Sequence, residues 1–537
     1  MKTIYKTLLV ASILTPALTG CLEETFPTDG ATTEQLQASA KAAEALVWGM
    51  PAFMNNVGTI SDNYHYDWGQ GSLMGIRDIM TEDLLRPAVG YNWYQTWRTV
   101  NVATGEDYAA TQFIWNYYNQ QVLASNGVLK TLTKEAVTET TKPYRGYALA
   151  FRASTYLDMG RMYEFLPNDA ISGQLSDTVS IVGLTVPIVT EFTSEEQARN
   201  NPRVPHAELA AFIKADLDEA EECLQGAATL SKTLPGLDVV YGLQARLAMW
   251  NEDYATAATY AQKAIAEHGG RPMNEEEWCS TSAGFNTLSV SSWMWGSQNM
   301  KEDRTVTSGI INWASWNSNE AEYGYAAAGA TLMIDAHLYE SIADDDFRKY
   351  TFVAPEGTNP KVVAKVQYAN PSLIGELEPY SSLKFRPGEG NCADYTVGSA
   401  SAYPLMRLEE MYLIKAEAEA HSNPAQGLQT LKDFKVNYRT PYYTFTAAGE
   451  EAVVNEIFKQ KRIEFFGEGL IFFDYKRLNK SVTRAYDGSN WPSAARFNTQ
   501  GRPAWMNFVI VKSEGTNNVA VTGRNNPDPE GAYDVVQ

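Results

Sequence analysis

Two helix–turn–helix segments, 237–268 and 404–439, constrain the fold of this 537-residue chain more than any other sequence feature. In the first, apolar residues at helical spacing over 237–250 are followed by a polar Asn-Glu-Asp turn and by a second helical pattern over 254–268. Alanines recur in both halves and permit a close approach of the two backbones. The segment 404–439 repeats this arrangement around an Asn-Pro break, so the chain contains at least two antiparallel helix pairs.

The spacing of apolar residues predicts further helices in both halves of the chain. They begin at about Glu34 and cover 107–131, 143–165, 205–225 and 450–467. Helix pairs that recur along a chain are typical of tetratricopeptide-like arrays, in which each pair buries its apolar face against its neighbours. We therefore predict a mainly α fold built on a tetratricopeptide-like helical scaffold.

Residues 269–402 interrupt this pattern, since they are rich in Gly, Ser, Asn and Trp and have little helical period. Short alternating stretches such as 361–369 predict strands there. A loop-rich stretch of this length inside a helical protein is usually functional. The predicted organisation is one compact domain made of an N-terminal helical part, a large loop-rich and partly β insertion, C-terminal helices and an irregular end. The boundaries are 34–268, 269–402, 403–480 and 481–537.

The first 33 residues have the features of an export signal. A basic start is followed by an apolar stretch over 8–18, which is too short to span a bilayer and is typical of a secretory signal peptide. The string LTGC, which ends at Cys21, resembles a bacterial lipobox. We predict a signal peptide over 1–20, a lipid such as palmitate on Cys21, and a tether over 21–33. The alternative is an ordinary signal peptide followed by a chance cysteine.

Charge and cysteine usage exclude several functions. The chain has 43 Lys and Arg residues against 64 Asp and Glu residues, a net charge of −21, which argues against nucleic acid as a partner. The cysteines Cys223, Cys279 and Cys392 form no Cys-x-x-Cys pair, so buried free thiols are favoured over one disulfide. No zinc, phosphate-loop or nucleophile motif is present, so we predict no cofactor and no catalytic residue. Asp344–Asp346 is a candidate calcium turn, although a solvated turn is favoured.

Aromatic residues beside polar residues concentrate in two irregular windows, 62–101 and 291–325. Sugars offer C–H faces on which an aromatic ring stacks, and hydroxyls that amides, carboxylates and arginine bind. The windows therefore predict a carbohydrate-binding surface of exposed rings and polar groups. The candidate ligand-binding residues are Tyr66, Asp67, Trp68, Trp93, Trp97, Arg98, Asn101, Trp293, Trp295, Trp313 and Trp316. The alternative is that most of these rings belong to the core, because tryptophan is usually largely buried.

Four strings together resemble the SusD/RagB family, the nutrient-binding, starch-binding-like outer-membrane lipoproteins of Bacteroidetes. They are the lipobox with its following acidic residues, GYALAFRASTYLDMGRMYE, YPLMRLEEMYLIKAEAEA and KRIEFFGEGLIFFDYKRL. In the third string Glu409 replaces the usual alanine, and in the fourth Ile471 stands where the family often has arginine. The residues of the fourth string that match the family signature are Arg462, Glu464, Glu468, Gly469, Asp474 and Arg477.

The resemblance implies a SusD-like fold and a non-catalytic protein, anchored by lipid to the outer membrane and facing the cell exterior. Such a protein captures oligosaccharides and delivers them to a SusC-like TonB-dependent transporter. The resemblance leaves the individual ligand contacts open, and it implies that the charged signature residues form ion pairs that stabilise packing. Three alternatives remain: a peptide ligand, a surface glycoside hydrolase, and a structural role in the transporter complex.

Overall fold

Long helices pack one against the next through the centre of the molecule in the computed structural model of this chain. The structure describes residues 40–61, 63–87, 93–100, 103–168, 170 and 180–537. The predicted signal peptide, the lipidated Cys21 and the tether lie outside these described residues, and so does the start of the first predicted helix.

The described part contains helices of very different lengths and four short strands. The helices are α1 (Ala40–Phe53), α2 (Gln70–Ile79), α3 (Gln95–Thr99), α4 (Ala109–Thr131), α5 (Lys142–Tyr163), α6 (Glu195–Ala198), α7 (His206–Leu224), α8 (Leu237–Trp250), α9 (Tyr254–His268), α10 (Glu275–Trp278), α11 (Arg304–Thr307), α12 (Trp313–Asn317), α13 (Gly324–Ala327), α14 (Ala336–Glu340), α15 (Pro360–Val363), α16 (Tyr395–Gly398), α17 (Leu408–Ser422), α18 (Pro424–Tyr438), α19 (Glu450–Glu464), α20 (Ile471–Arg477) and α21 (Lys512–Asn517). The strands are β1 (Leu84–Leu85), β2 (Trp293–Gln298), β3 (Met333–Ile334) and β4 (Ala402–Arg407).

The helical scaffold is continuous in space although the sequence interrupts it. Helix α5 packs against α4 and α7, α7 packs against α8, and α8 packs against α9. Helix α9 then packs directly against α17, which contacts both α18 and α19. The two helix pairs read from the sequence are therefore neighbours, and the loop-rich insertion leaves and rejoins the scaffold between them. The predicted mainly α, tetratricopeptide-like fold is confirmed.

The pair α8–α9 shows how the local sequence forms a repeat unit. The Asp253 carboxylate caps α9 by accepting a hydrogen bond from the Thr256 N–H at 3.2 Å. The small residues Ala257, Ala261 and Ala264 are fully buried on one side of α9, at the three- and four-residue spacing of a helix face. Close helix contact therefore follows from the alanine spacing and the polar turn.

The pair α17–α18 turns through Asn423. The Asn423 side chain accepts a hydrogen bond from the Gln426 N–H at 3.3 Å, and Pro424 occupies the first position of α18. Gly427 follows, and a Cβ atom there would lie 2.5 Å from the Ala416 carbonyl oxygen. Only glycine permits this approach of the two backbones without a shift of one helix.

The C-terminal pair begins later than the sequence pattern predicts, because residues 402–407 form β4 and α17 starts at Leu408. Strand β4 pairs antiparallel with β2, with Arg407 opposite Trp293 and Ala402 opposite Gln298. Pro404 fits in this position because each strand of a two-stranded sheet has a free edge. Long-range pairing outside the helix therefore overrides the helical period of these residues.

The insertion is loop-rich and partly β, as predicted. The α-helices within it are short, with four or five residues each. The strand prediction for 361–369 is wrong, because this segment begins with α15 and continues as turns. The Asn359 side chain caps α15 by accepting from the Lys361 N–H at 3.0 Å, and Pro360 follows at the first helical position. These two helix-start signals outweigh the short apolar alternation.

The charged residues of the C-terminal signature lie in ion pairs. Glu464 accepts from Arg439 at 2.6 Å and from Arg348 at 3.0 Å, and Arg407 donates to Glu468 at 2.8 Å. We call the whole set the buried ion network, since its side chains are at most 2 % exposed. Its members are Asp346, Arg348, Lys384, Arg407, Glu409, Lys435, Arg439, Glu464 and Glu468.

The buried ion network predicts acid sensitivity. Burial alone would raise the pKa of Glu464 and of Asp346, but the neighbouring cations outweigh burial and hold both pKa values well below the usual range: three arginines around Glu464, and Arg348 with Lys435 at Asp346. The stabilisation is complete above the unfolded values of about 4.5 and 3.8, and it is lost as pH falls below them. We expect the free energy of unfolding in urea to fall between pH 5 and pH 3, with a slope of at most about 1.4 kcal/mol per pH unit for each titrating group. Equal values at pH 5 and pH 3 would contradict this expectation.

The structure also shows the surroundings of the three cysteines and of the candidate calcium turn. Cys223, Cys279 and Cys392 are buried free thiols, in agreement with the favoured interpretation. In the candidate calcium turn, Asp344 pairs with Lys349 at 2.9 Å and Asp346 belongs to the buried ion network. Within the described ranges, no three His, Cys, Asp or Glu residues are grouped as a metal site would require, and no helix is long and apolar enough to cross a membrane. The calcium site stays the untested alternative to the favoured solvated turn.

Candidate ligand-binding site

The two aromatic windows of the sequence meet in space. Tyr94, at the start of α3, contacts Trp316 of α12 edge to face, with ring centroids 4.5 Å apart. The Arg86 guanidinium lies over both rings, 5.6 Å and 5.4 Å from their centroids. Among the described residues no acid pairs with Arg86, and burial lowers its pKa to about 10. The structure therefore joins the windows through a cation held between aromatic rings.

A row of stacked rings runs from this junction to the surface. Trp316 stacks on Tyr325 with centroids 4.2 Å apart and an interplanar angle of 16°. The Tyr325 hydroxyl is hydrogen-bonded to His65 Nδ1, and His65 in turn stacks on Trp93 with centroids 4.4 Å apart. Trp316 and Tyr325 are buried, whereas His65 and Trp93 are half-buried. We call Trp316, Tyr325, His65 and Trp93 the aromatic row.

The outer end of the row offers ring faces beside polar groups. Tyr64 is half-buried next to His65, and Asn63 and Gln95 are exposed. We call Tyr64, His65 and Trp93 the aromatic rim. Burial lowers the pKa of His65, so its imidazole is neutral at pH 7 and stacks without bringing a charge to the rim. Such a surface can stack on an apolar ring face and bind hydroxyls at its edges.

A tight turn positions the rim. The Asp67 side chain accepts hydrogen bonds from the Thr59 hydroxyl at 2.8 Å and from the Ile60 N–H at 2.7 Å. Gly69 follows with a φ of +83°, and a Cβ atom there would lie 2.0 Å from the Met54 carbonyl oxygen. Asp67 is fully buried, so its carboxylate stabilises the turn that carries His65 and has no face toward a ligand.

Most of the candidate residues read from the sequence are buried, which is a correction to their predicted exposure. Each of the following is at most 7 % exposed: Tyr66, Asp67, Trp68, Trp97, Arg98, Trp293, Trp295, Trp313 and Trp316. Trp93 is half-buried, and Asn101 lies outside the described residues. A ring face covered by protein cannot stack on a sugar, so direct ligand contact now depends on Trp93 and its neighbours.

The buried candidates have clear structural partners. Trp97 packs edge to face on Tyr66 at 4.8 Å, and Trp313 stacks on Tyr403 at 4.7 Å. Arg98 donates to the Pro87 carbonyl at 3.0 Å, and its burial lowers its pKa. Trp295 donates its indole N–H to the Thr233 carbonyl at 3.2 Å. The contacts of Trp295 and Trp313 connect the insertion to the helical part of the chain, whereas those of Trp97 and Arg98 lie within the first window.

Sequence reasoning missed His65, Tyr64 and Tyr325 as candidate residues. His65 stands within the first window, but histidine suggested only metal binding, for which no spacing was present. Tyr325 stands at the end of the second window among small residues, and only its contact with His65, 260 residues away in the chain, reveals its role. The useful signal was the density of rings in each window, which located the site without distinguishing outer from inner rings.

A helical-repeat scaffold that carries a loop-built aromatic site is the architecture of a binding protein. Two family models match the chain: SusD family over residues 248–516, and "starch-binding associating with outer membrane" over residues 41–249. The first covers half of the chain, and the two together span 41–516. The chain belongs to the SusD family.

Solved structures from Bacteroides have the same fold. A SusD-like carbohydrate binding protein from Bacteroides vulgatus ATCC 8482 is 21 % identical with a TM-score of 0.70, covering 91 % of this chain and 98 % of that chain. A SusD superfamily protein from Bacteroides thetaiotaomicron VPI-5482 is 17 % identical with a TM-score of 0.66, covering 91 % and 100 %. A SusD-like carbohydrate binding protein from Bacteroides fragilis NCTC 9343 is 14 % identical with a TM-score of 0.61, covering 90 % and 99 %. No curated protein sequence matches this chain. At these identities the likeness establishes the fold alone.

Proposed function

We propose that this protein is a non-enzymatic carbohydrate-binding lipoprotein of the outer membrane, and that its ligand binds at the aromatic rim. The observation that carries the proposal is the aromatic row, which ends in half-buried rings flanked by exposed amides. Stacked rings in the core hold the outer rings in place, so a sugar ring would bind to a preorganised face. The names of the matching family model and of the related structures support carbohydrate as the ligand class.

Delivery to a partner is part of the same proposal. Family membership supports a SusC-like TonB-dependent transporter as the partner, and the lipobox at Cys21 supports a lipid anchor with the protein facing the cell exterior. The rim suits such a role because its rings are half-buried at the surface, where a bound ligand can also be released. Capture of the tagged full-length chain from outer-membrane extracts, followed by mass spectrometry, would identify the transporter.

We expect Trp93→Ala to weaken glycan binding by at least about tenfold, which corresponds to about 1.4 kcal/mol. The substitution removes the outermost ring of the row, and His65→Ala should act in the same direction because it removes the ring on which Trp93 stacks. The measurement is calorimetry and affinity gel electrophoresis of residues 22–537 with xylan, β-glucan, amylopectin and their tetrasaccharides.

The matched control is Trp48→Ala, which removes a half-buried tryptophan from α1, outside the rim. It should bind every glycan as the unmodified protein does. Binding that survives Trp93→Ala and His65→Ala unchanged would place the ligand elsewhere. Binding of peptides and of no glycan would replace carbohydrate by peptide as the ligand class.

A further inference from the structure

Phe192 is an aromatic residue at the surface that is not part of the aromatic rim. Its side chain is 78 % exposed, in the loop between the segment 185–189 and α6. It belongs to neither aromatic window of the sequence, and the described residues that line the groove beside it include no member of the aromatic rim. Single exposed apolar residues are common on proteins, so the case for a function depends on how the ring is held and on what surrounds it.

The loop that presents Phe192 is held rigidly from below. The preceding residue, Glu191, forms a buried ion pair with Arg152 of α5 at 2.5 Å. Arg152 is itself held by both carboxylate oxygens of Asp216, at 2.7 and 2.8 Å. With Glu191 anchored inward, the next side chain along the loop points outward. The ring is therefore held at the surface before any ligand binds.

Further hydrogen bonds close the loop on both sides of the ring. The Thr193 hydroxyl accepts from the Thr190 N–H at 2.9 Å, and the Tyr156 hydroxyl accepts from the Val189 N–H at 2.7 Å. Helix α6 begins directly afterwards with a capping box in which Ser194 and Gln197 bond each other's backbone N–H groups. A preorganised loop loses little conformational freedom on binding, which favours affinity.

Polar side chains line a shallow groove of about 600 Å³ beside the ring. Asn201 forms its back wall, where its side chain donates to the Ile188 carbonyl at 2.7 Å. Glu196, Gln197 and Asn200 are exposed along the groove, and the described part of the chain contains no hydrogen-bond or ion-pair partner for the Glu196 and Asn200 side chains. One exposed ring face with free amide and carboxylate groups beside it is the combination that binds a sugar ring.

We propose that the Phe192 groove is a second carbohydrate site, which binds another part of the same polysaccharide that occupies the aromatic rim. The proposal rests on the proposed function, because it assumes the same ligand class. The groove is open and combines polar side chains with the apolar Phe192 and Ile188, which suits the hydroxyls and C–H faces of a polysaccharide segment better than an apolar protein partner. Two sites on one protein act together only on a ligand long enough to reach both, and such a pair raises affinity for polymer without changing affinity for short fragments.

We expect Phe192→Ala to weaken binding of polysaccharide by about tenfold or more, and to leave the binding of the corresponding tetrasaccharide at the rim unchanged within about twofold. The probes are xylan, β-glucan and amylopectin, each compared with its tetrasaccharide. Phe192 is exposed, so its removal leaves the core intact. Tyr442→Ala is the matched control, since Tyr442 is also 78 % exposed but lies in a different loop, and it should bind polymer as the unmodified protein does.

The outcomes separate this inference from the proposed function. Equal polysaccharide affinity of Phe192→Ala and the unmodified protein, with Trp93→Ala impaired, would overturn the second site and leave the rim in place. An equal loss of tetrasaccharide and polymer binding in Phe192→Ala would also overturn it, because the groove would then be the main site. If the unmodified protein retains no glycan, both the second site and carbohydrate binding at the rim are overturned.

Discussion

Glu464→Gln is expected to lower the free energy of unfolding by about 3–5 kcal/mol, the usual effect of removing one partner from a buried ion pair. Glu464 is fully buried and accepts from Arg439, Arg348 and Arg407 at distances of 2.6, 3.0 and 3.2 Å. Glutamine keeps the size of the side chain but removes its charge. Five buried cations then face three carboxylates, and the excess positive charge has little access to solvent. Urea unfolding at pH 7 measures the effect.

The control for this substitution lies on the same helix. Glu451 is exposed in the first turn of α19, so Glu451→Gln loses only a screened interaction with the helix dipole, within about 1 kcal/mol. A double-mutant cycle with Arg439→Gln adds a second test. The double variant should be more stable than the sum of the two single effects predicts, by more than about 1 kcal/mol, because either single variant already loses the contact between Glu464 and Arg439 and the double variant cannot lose it twice. Additive effects would contradict direct coupling of this pair.

The scaffold was predictable from sequence because its helices carry their own signals. Helices α4, α5, α7, α8 and α9 begin and end within two residues of their predicted limits, since apolar period, polar turns and capping residues all lie within a few positions of each end. The predicted secondary structure is wrong where pairing with a distant segment determines the conformation. Residues 402–407 form β4 only because β2, more than 100 residues earlier, pairs with them. No local pattern contains that information.

The sequence predicted where the candidate binding site lies, but not which residues of the two windows are accessible to a ligand. Trp93 and Trp97 stand four residues apart in the same polar segment, and nothing near them in sequence distinguishes the half-buried ring from the buried one. The difference arises from packing, because Trp97 lies against the rings of Tyr66 and Tyr94, whereas Trp93, among the described residues, stacks on the half-buried His65. Aromatic density therefore located the site, while burial was determined by the packing of the insertion against the first window.

The Phe192 groove left no comparable signal in the sequence. A single phenylalanine among threonines and glutamates is typical of an ordinary surface loop. Its features come from the buried pair of Glu191 with Arg152, which lie 39 residues apart, and from the position of α6 beside the loop. Such a site can be identified only when the structure shows both that the ring is exposed and that its loop is held by buried contacts.

Trp316→Ala is expected to lower the free energy of unfolding by about 3–5 kcal/mol and also to weaken glycan binding at the rim. Trp316 is 1 % exposed, and its removal leaves a cavity between Tyr94, Tyr325 and Arg86. Tyr325 then loses its stacking partner and no longer holds His65 and Trp93 in fixed positions. Binding should weaken by about tenfold although Trp316 itself does not reach the ligand. Urea unfolding and calorimetry with glycan at 10 °C measure the two effects.

Trp313→Ala is the control that separates loss of stability from loss of glycan affinity. Trp313 is equally buried, but it stacks on Tyr403 and packs on Phe385, outside the aromatic row. We expect the same loss of about 3–5 kcal/mol and glycan affinity close to that of the unmodified protein. Circular dichroism at the temperature of the titration ensures that only folded protein is compared. If both variants lose stability and neither loses affinity, the aromatic row does not position the rim. If both lose affinity alike, general loosening of the core is the cause, and the specific role of the row is contradicted.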